Sequence, residues 1–360
     1  MSRNLIKQIN KDIGNILNDD LPWDRFSNSK ILITGASGFI GNYLVRVLLE
    51  LNKKELFSKP LTIYAMARDE KKFFKKFNDL VSDDFLQFFK WDLNSFAVPP
   101  YLDFNYIFHA ASNATPKFYE TDPVGTILPN TVGTAFLLDI LRKSKSKDIN
   151  KGFIFLSSSE IYGQNISIQS QKSFTENDEN LLNKKSFRSC YSDSKKMGET
   201  ICKAWNDQYN IPTYIARIFH TYGPGLSRED GRVFSDFIFN ILDNLDVEIL
   251  GTGEAKRSYC YISDTIRAIF RILLKGKNTE LYDVGNPNAE MSVIELANML
   301  VNLYPEKKLK IKKPNFNKKN LIKKEFNVIS PNIDKLLKIG WNPKVPPSEG
   351  FKKTIDCQSS

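Results

Sequence analysis

The sequence predicts an α/β fold, a doubly wound parallel sheet joined to a smaller C-terminal α/β lobe. Three observations predict it. From residue 30 onward, short β-branched and aromatic runs alternate with longer helical patterns. The runs are apolar on both faces, as in a parallel sheet covered by helices on each side. After residue 222 the rhythm changes to helices separated by short strands and Gly/Pro turns such as "GPGLSREDG", "GTGEAKRSY" and "VGNPNAEMS".

The elements follow in order. In residues 1–29, Leu5, Ile9, Ile13 and Leu17 recur every four positions, as on an amphipathic helix packed on the domain or on a partner subunit. "KILITG" opens the first strand. "LTIYAMA", "FLQFFKW", "NYIFHAA", "GFIFLSS" and "IPTYIARIF" read as further strands, with helices in "FIGNYLVRVLLEL" and "TVGTAFLLDILRK". The chain thus divides into an extension (1–29), a first domain (30–221) and a second lobe (222–360) interleaved with it. The polar stretch 163–188 is long for a connector and is expected to be a functional lid.

A chain of 360 residues with 41% hydrophobic and 26% charged residues has material for a sizeable core and is not disordered or fibrous. No run approaches the roughly 18 apolar residues of a membrane span, and "MSRNLIKQIN" lacks the apolar region of a secretory signal. The chain reads as cytosolic, with no membrane partner. Cys190, Cys202, Cys260 and Cys357 are scattered, without a C-x-x-C pair, and there are two histidines. No metal site or disulfide framework is expected. The net charge of +10 raises the question of nucleic acid, but lysine runs such as "KKLKIKKPNFNKKNLIKK" lack interleaved arginine and aromatic side chains. They read as a solvated surface, and the charge suits a small anionic substrate.

"ILITGASGFIGNYLVRVLLEL" places Gly35, Gly38 and Gly41 between a strand and a helix. Glycine there lets the backbone turn tightly and approach a pyrophosphate, which sits on the first amides of the helix. The spacing is G-x-x-G-x-x-G. Downstream, "CYSDSKKMGET" carries Tyr191 and Lys195 four positions apart, on one face of a helix. A phenol is a poor base at neutral pH. A neighbouring ammonium favours the phenolate and is expected to lower the Tyr191 pKa, making it a usable proton acceptor.

Together the glycine turn and the Y-x-x-x-K pair resemble the extended short-chain dehydrogenase/reductase family, from residue 30 to the end. The resemblance implies a Rossmann domain holding NAD or NADP and a C-terminal lobe binding substrate. It implies that Ser37, Phe39 and Ile40 join the three glycines at the cofactor, that Asp92 and Leu93 flank the adenine, and that Ala110 and Ala111 line the path to the nicotinamide. Tyr191 and Lys195 serve chemistry and cofactor alike, Lys195 by holding the nicotinamide ribose, and Ser158 hydrogen-bonds the reacting hydroxyl. The second strand departs from the NAD pattern: where an acidic residue usually holds the ribose, Met66, Ala67 and Arg68 stand, followed by Asp69. Arg68 would accept a 2′-phosphate, Asp69 speaks against it, and the choice between NAD and NADP stays open.

Members of this family with a long C-terminal lobe mostly act on nucleotide sugars through a 4-keto intermediate and usually return the hydride. The 4,6-dehydratases carry an Asp-Glu pair after the serine or threonine; here the pair is Ser159-Glu160, which is similar to UDP-glucuronate decarboxylases of the UDP-xylose synthase type. "FRSCYSDSKKMGET", "EDGRVFSDFI" and "GTGEAKRSYCYISD" are similar to decarboxylase stretches as well. The resemblance implies Arg257 at the sugar carboxylate or ketone, Arg232 and Val233 by the base, and Arg188, His220 and Tyr261 as further substrate contacts. His220 stands where the family usually has asparagine, which leaves the nucleotide open. The expectation is a redox-neutral decarboxylase of a UDP-glucuronate-like sugar, working as a homodimer. An epimerase acting at carbon 4 or 5, a net dehydrogenase, a 4,6-dehydratase, which the missing aspartate disfavours, and a non-catalytic dinucleotide-binding scaffold are the alternatives.

Overall fold

A computed structural model describes residues 1–54, 57–95, 103–144, 151–162, 189–313 and 330–359. The stretch 163–188, with the expected lid and Arg188, lies outside the described residues.

The strands are β1 (Lys30–Thr34), β2 (Thr62–Ala67), β3 (Leu86–Lys90), β4 (Tyr106–His109), β5 (Gly152–Ser158), β6 (Thr213–Ile218), β7 (His220–Tyr222), β8 (Val247–Glu248), β9 (Lys256–Tyr261), β10 (Leu281–Val284), β11 (Glu290–Ser292) and β12 (Ile311–Lys312). The helices are α1 (Arg3–Leu17), α2 (Phe39–Lys53), α3 (Glu70–Lys76), α4 (Pro116–Thr121), α5 (Pro123–Asn130), α6 (Val132–Lys143), α7 (Ser189–Tyr209), α8 (Val233–Leu242), α9 (Ile262–Lys275), α10 (Val293–Asn302), α11 (Asp334–Lys338) and α12 (Pro347–Asp356). The main sheet runs β10-β6-β5-β4-β1-β2-β3, every neighbouring pair parallel. This is the doubly wound order, whose strand ends open a ligand crevice where the order reverses beside β1.

The central strands are apolar on both faces because helices cover both. Ile31, Ile33, Phe108 and Ile154 lie in one core with α2 and α9, while Leu32, Ile107, Phe153 and Phe155 lie in the other with α6 and α7. The apolar stretch Pro123–Lys143 is long enough to cross a membrane, but it is half buried in protein and is interrupted at Thr131 between α5 and α6.

Two features bear on the division of the chain. β10 returns from the second lobe to the far edge of the main sheet, and α9 packs beneath that sheet, so residues 262–284 belong spatially to the first domain. The extension packs on its own chain. Helix α1 lies against α2 and α9, burying Ile9, Ile13, Ile16 and Leu17. Just beyond it, Asp19 takes Arg267 Nε at 2.9 Å and Arg271 Nη2 at 3.2 Å in a buried ion cluster.

The smaller lobe holds the three-stranded sheet β11-β9-β7, the short β12-β8 pair and α8, α10 and α12. In it, β7 pairs with β9 so that His220 stands beside Tyr259.

Candidate active site

The glycine turn leaves β1 with Gly35 at φ +64°, a left-handed conformation that favours glycine. A Cβ on Gly35 would lie 2.8 Å from the Ala111 Cα, and one on Gly41 would lie 2.2 Å from the Gly35 carbonyl oxygen. Gly41 therefore does not face the cleft; it lets α2 close onto the turn. Gly35, Ser37 and Gly38 line a cleft with Arg68, Asp92, Leu93, Ala110 and Ala111, which brings the expected dinucleotide residues to one place. Phe39 and Ile40 line the adjoining cavity. The cleft fits a dinucleotide. The Asn94 Oδ1 and Ser112 Oγ atoms that border it are buried without a hydrogen-bond partner among the described residues, as polar groups that meet a bound ligand would be.

Behind the turn, β1 and β4 are locked together by His109. Its Nδ1 is 2.8 Å from the Thr34 hydroxyl and its Nε2 is 2.9 Å from the Pro129 carbonyl oxygen. Burial, with Lys195 adding to it, holds this imidazole down to about 3, so it is neutral, donates from Nε2 to Pro129 and accepts from Thr34. The Thr34 oxygen in turn accepts the Ala111 amide at 3.0 Å, fixing the loop that borders the cleft.

Next to the cleft lies a cavity of about 660 Å³, in the range of small-molecule sites. Ser158, Ser159, Glu160, Tyr191, Lys195, His220, Arg232, Val233 and Arg257 all line it, as the residues expected at the catalytic and substrate positions. Tyr191 and Lys195 reach it because α7 lies very close to β5. A Cβ on Gly198 would be 2.4 Å from Phe155 Cζ and 2.7 Å from the Asn130 carbonyl oxygen, so only glycine admits that approach. Ser158 ends β5, hydrogen-bonds the Tyr191 phenol and accepts the Glu160 amide at 3.2 Å.

The electrostatics differ from expectation at Tyr191. Burial pushes its phenol up to about 12, against a lowering hydrogen bond from Ser158. Burial likewise brings Lys195 down to about 7, with Glu199 opposing. The ammonium does not lower the Tyr191 pKa because it is turned away: Nζ donates to the Leu156 carbonyl at 2.6 Å and lies 5.8 Å from the Tyr191 ring centroid.

On the far side of the cavity, Arg232 pairs with Asp230 through Nε at 2.5 Å and Nη2 at 2.7 Å. His220, pushed down to about 3 by burial and then by Arg232 and Arg257, is a neutral imidazole able to donate one hydrogen bond. Arg257 donates to the Lys256 carbonyl at 2.6 Å and keeps the rest of its guanidinium for the cavity.

One expected contact is corrected. Tyr261 does not line the cavity; it is 1% exposed beneath α1, and its hydroxyl donates to Asp12 Oδ2 at 2.9 Å. Its place at the end of β9 turns it into the core, away from Arg257.

Several contributors escape motif reading. The Tyr119 ring stacks on Tyr191 at 4.9 Å between centroids, from a short helix with no signature beyond Pro116 at its start. Glu199 lies one turn beyond Lys195, the only signal that would have found it. It accepts from Ser157 Oγ at 2.6 Å and from Arg217 at 2.9 and 2.7 Å. Arg217 also donates to the Tyr162 hydroxyl at 2.9 Å, which donates to Asp283 at 2.6 Å. This chain ties β6 and β10 to the 3₁₀ turn Ser159–Tyr162 that carries Glu160.

Residues 31–285 match the NAD dependent epimerase/dehydratase family. UDP-glucuronic acid decarboxylase 5 of Arabidopsis thaliana is 32% identical, over 90% of this chain and 88% of its own length. UDP-glucuronic acid decarboxylase 1 of Xenopus tropicalis is 28% identical over 91% of this chain and 71% of its own. Among solved structures, UDP-glucuronic acid 4-epimerase of Bacillus cereus, in complex with UDP-glucuronic acid and NAD, superposes with a TM-score of 0.70 at 23% identity, covering 91% of this chain and 98% of that one. With the glycine cradle, the Tyr191–Lys195 helix and a match spanning most of the chain, the protein belongs to the NAD dependent epimerase/dehydratase family.

Proposed function

We propose that the protein is a redox-neutral nucleotide-sugar enzyme that decarboxylates a UDP-glucuronate-like substrate. The observation that carries the reading is a single cavity in which Ser158, Glu160 and Tyr191 stand with Arg257, next to the glycine cradle. The decarboxylases among its relatives support the same reaction.

Bound in the cleft, the nicotinamide dinucleotide supplies reversible hydride acceptance from the sugar 4-carbon. The Tyr191 phenol oxygen takes the proton of the 4-hydroxyl, and Ser158 Oγ holds that oxygen in line. A 4-keto uronic acid is a β-keto acid, so its carboxylate leaves as CO₂ while the electrons flow into the ketone. Arg257 and Ser159 steady the carboxylate and then the enolate, and Glu160 orients the sugar or water for reprotonation. His220, as a neutral imidazole hydrogen-bond donor, and the Arg232 guanidinium, balanced by Asp230, suit the diphosphate side of the substrate.

An epimerase reading shares every residue through Tyr191 and differs in whether a carboxylate is lost. Incubation of the purified protein with UDP-glucuronate followed by mass spectrometry separates them. Release of CO₂ with formation of a UDP-pentose supports the proposal; an isomer of unchanged mass, or no turnover, overturns it.

The reading includes a second copy of the chain. Val124 and Ile127 on α5 and Met197 on α7 are exposed apolar side chains on two helices that pack on each other, which supports a homodimer through this face. Analytical ultracentrifugation of the wild type and a Met197→Glu variant tests it.

A further inference from the structure

The stretch that matches the family begins at residue 31, and helix α1 lies before it. The helix is nevertheless built into the molecule. Its apolar stripe is buried against α2 and α9, the helices that follow the glycine turn and β9.

Along that stripe α1 meets the chain that leaves β7. Residues 223–232 run from the end of β7 to the start of α8 and bring Asp230, Gly231 and Arg232 to the wall of the large cavity. Pro224 and Leu226, at the inner end, are buried, whereas Ser227, Arg228 and Glu229 are exposed. The outer part is held to α8 through the Ser235 hydroxyl, which donates to the Ser227 carbonyl at 3.1 Å. The Arg228–Asp243 ion pair lies at the surface, where such pairs hold little. The inner anchor therefore decides much of where the segment lies.

Two contacts make that anchor. The buried Tyr43 hydroxyl on α2 donates to the Pro224 carbonyl oxygen at 3.2 Å and shares its proton with Asp12 Oδ2 of α1 at 3.4 Å. Ile9 of α1 reaches the turn itself: a Cβ on Gly225, whose φ is +90°, would lie 4.0 Å from Ile9 Cδ1. The Tyr43 ring also meets Phe39 edge-on at 6.2 Å between centroids, and Phe39 lines the same cavity.

We propose that α1 is a working part of the substrate site although it touches no substrate: with Tyr43 it fixes the 223–226 turn and so sets where Arg232 stands for the nucleotide end of the substrate. Ile9 and Tyr43 are positioning residues. The glycine turn does not depend on them, because Gly41 closes α2 onto it through the backbone, so the effect falls on the substrate and not on the dinucleotide. The inference rests on the substrate reading of the cavity and is independent of which bond of the sugar is changed.

The test is calorimetric titration of the full-length protein, freed of co-purified nucleotide, with UDP and with NAD⁺, alongside thermal unfolding. Tyr43→Phe removes the hydroxyl, and Ile9→Ala removes the contact at Gly225. Each is expected to weaken UDP binding about three- to tenfold and to leave NAD⁺ within about twofold. Ile16→Ala is the control. It opens a similar hole under the same helix about 10 Å further along its axis, lowers the unfolding midpoint comparably, and is expected to leave UDP within about twofold. UDP affinity unchanged by Tyr43→Phe or by Ile9→Ala overturns the proposal, and Tyr43→Phe alone decides should Ile9→Ala not fold. Equal weakening of UDP and NAD⁺, or loss of UDP affinity in Ile16→Ala as well, makes α1 a stability element only and overturns it too. A wild type that binds no UDP overturns it together with the substrate reading. Selective weakening of UDP by both variants, without turnover of UDP-glucuronate, upholds it and removes only the proposed reaction.

Discussion

Lys195 Nζ donates to the Leu156 carbonyl oxygen at 2.6 Å and not to the Tyr191 phenol, although the two side chains share one face of α7. The lysine amine is thus held by the backbone of β5 and not by the phenol. With burial holding Tyr191 at about 12, the protein alone keeps that phenol protonated at neutral pH. Tyr191→Phe removes the proposed proton acceptor and no other polar group. Turnover of UDP-glucuronate is expected to fall about 10²–10⁴-fold, with the thermal unfolding midpoint held or raised. Steady-state kinetics and calorimetry check both halves; a variant as active as the parent would exclude Tyr191 as the acceptor.

Glu199→Gln tests the support beneath the site. Glu199 holds Ser157 and Arg217, and Arg217 holds the Tyr162 end of the turn carrying Glu160. Displacing such a turn by as little as an ångström is worth up to about 10²-fold in rate. The expected result is a lower kcat with little change in KM. An unchanged kcat assigns the network to folding alone.

Asp12 gives the protein a pH-dependent stability. Burial, only partly offset by hydrogen bonds from Tyr261, Gln8 and Tyr43, raises its carboxyl to about 6. The folded state therefore holds this proton above the unfolded carboxylate range. The resulting stability is complete below the unfolded pKa of 3.8 and is lost as pH rises through about 6. Asp12→Asn, with the Gln8 amide turned to present its oxygen, removes that slope. Relative to wild type it is expected to gain on the order of 2–3 kcal/mol between about pH 4.5 and pH 7.5. Urea titrations at the two pH values measure the difference, and parallel pH profiles would exclude the assignment.

Asp19→Ala leaves Arg267 and Arg271 buried without their shared carboxylate. Removing one partner from such a cluster costs about 3–5 kcal/mol. The chemical denaturation midpoint is expected to fall accordingly, and a change below about 1 kcal/mol would show that Asp264 and water compensate.

The strands of the first domain were legible because each carries its own local signal. "KILITG" and "GFIFLSS" are largely apolar runs; the first became β1 less its final glycine, and the second coincides with β5. The glycine turn and the Tyr191–Lys195 pair were legible for a related reason: their chemistry depends on spacings within one turn or one helix. β10 was not. Its four residues sit among Gly and Pro turns, and it joins the main sheet only through pairing with β6, a contact between distant parts of the chain. The same limit applies to Tyr261. Its neighbours in sequence belong to the site, but strand alternation and the arrival of α1 from the other end of the chain turn its hydroxyl to Asp12. The direction of the Lys195 ammonium was equally hidden, since it is set by a backbone carbonyl on β5 rather than by a side chain four residues away.

The buried carboxyl on α1 has one more consequence. Asp12 Oδ2 accepts from Tyr43 on α2 at 3.4 Å and from Tyr261 at the end of β9 at 2.9 Å, so one side chain stitches both lobes together behind the cavity. The seam between the lobes is therefore fastened at its back by a single carboxyl that arrives from the start of the chain. Anything that unseats the N-terminal helix thereby also cuts a tie between α2 and β9.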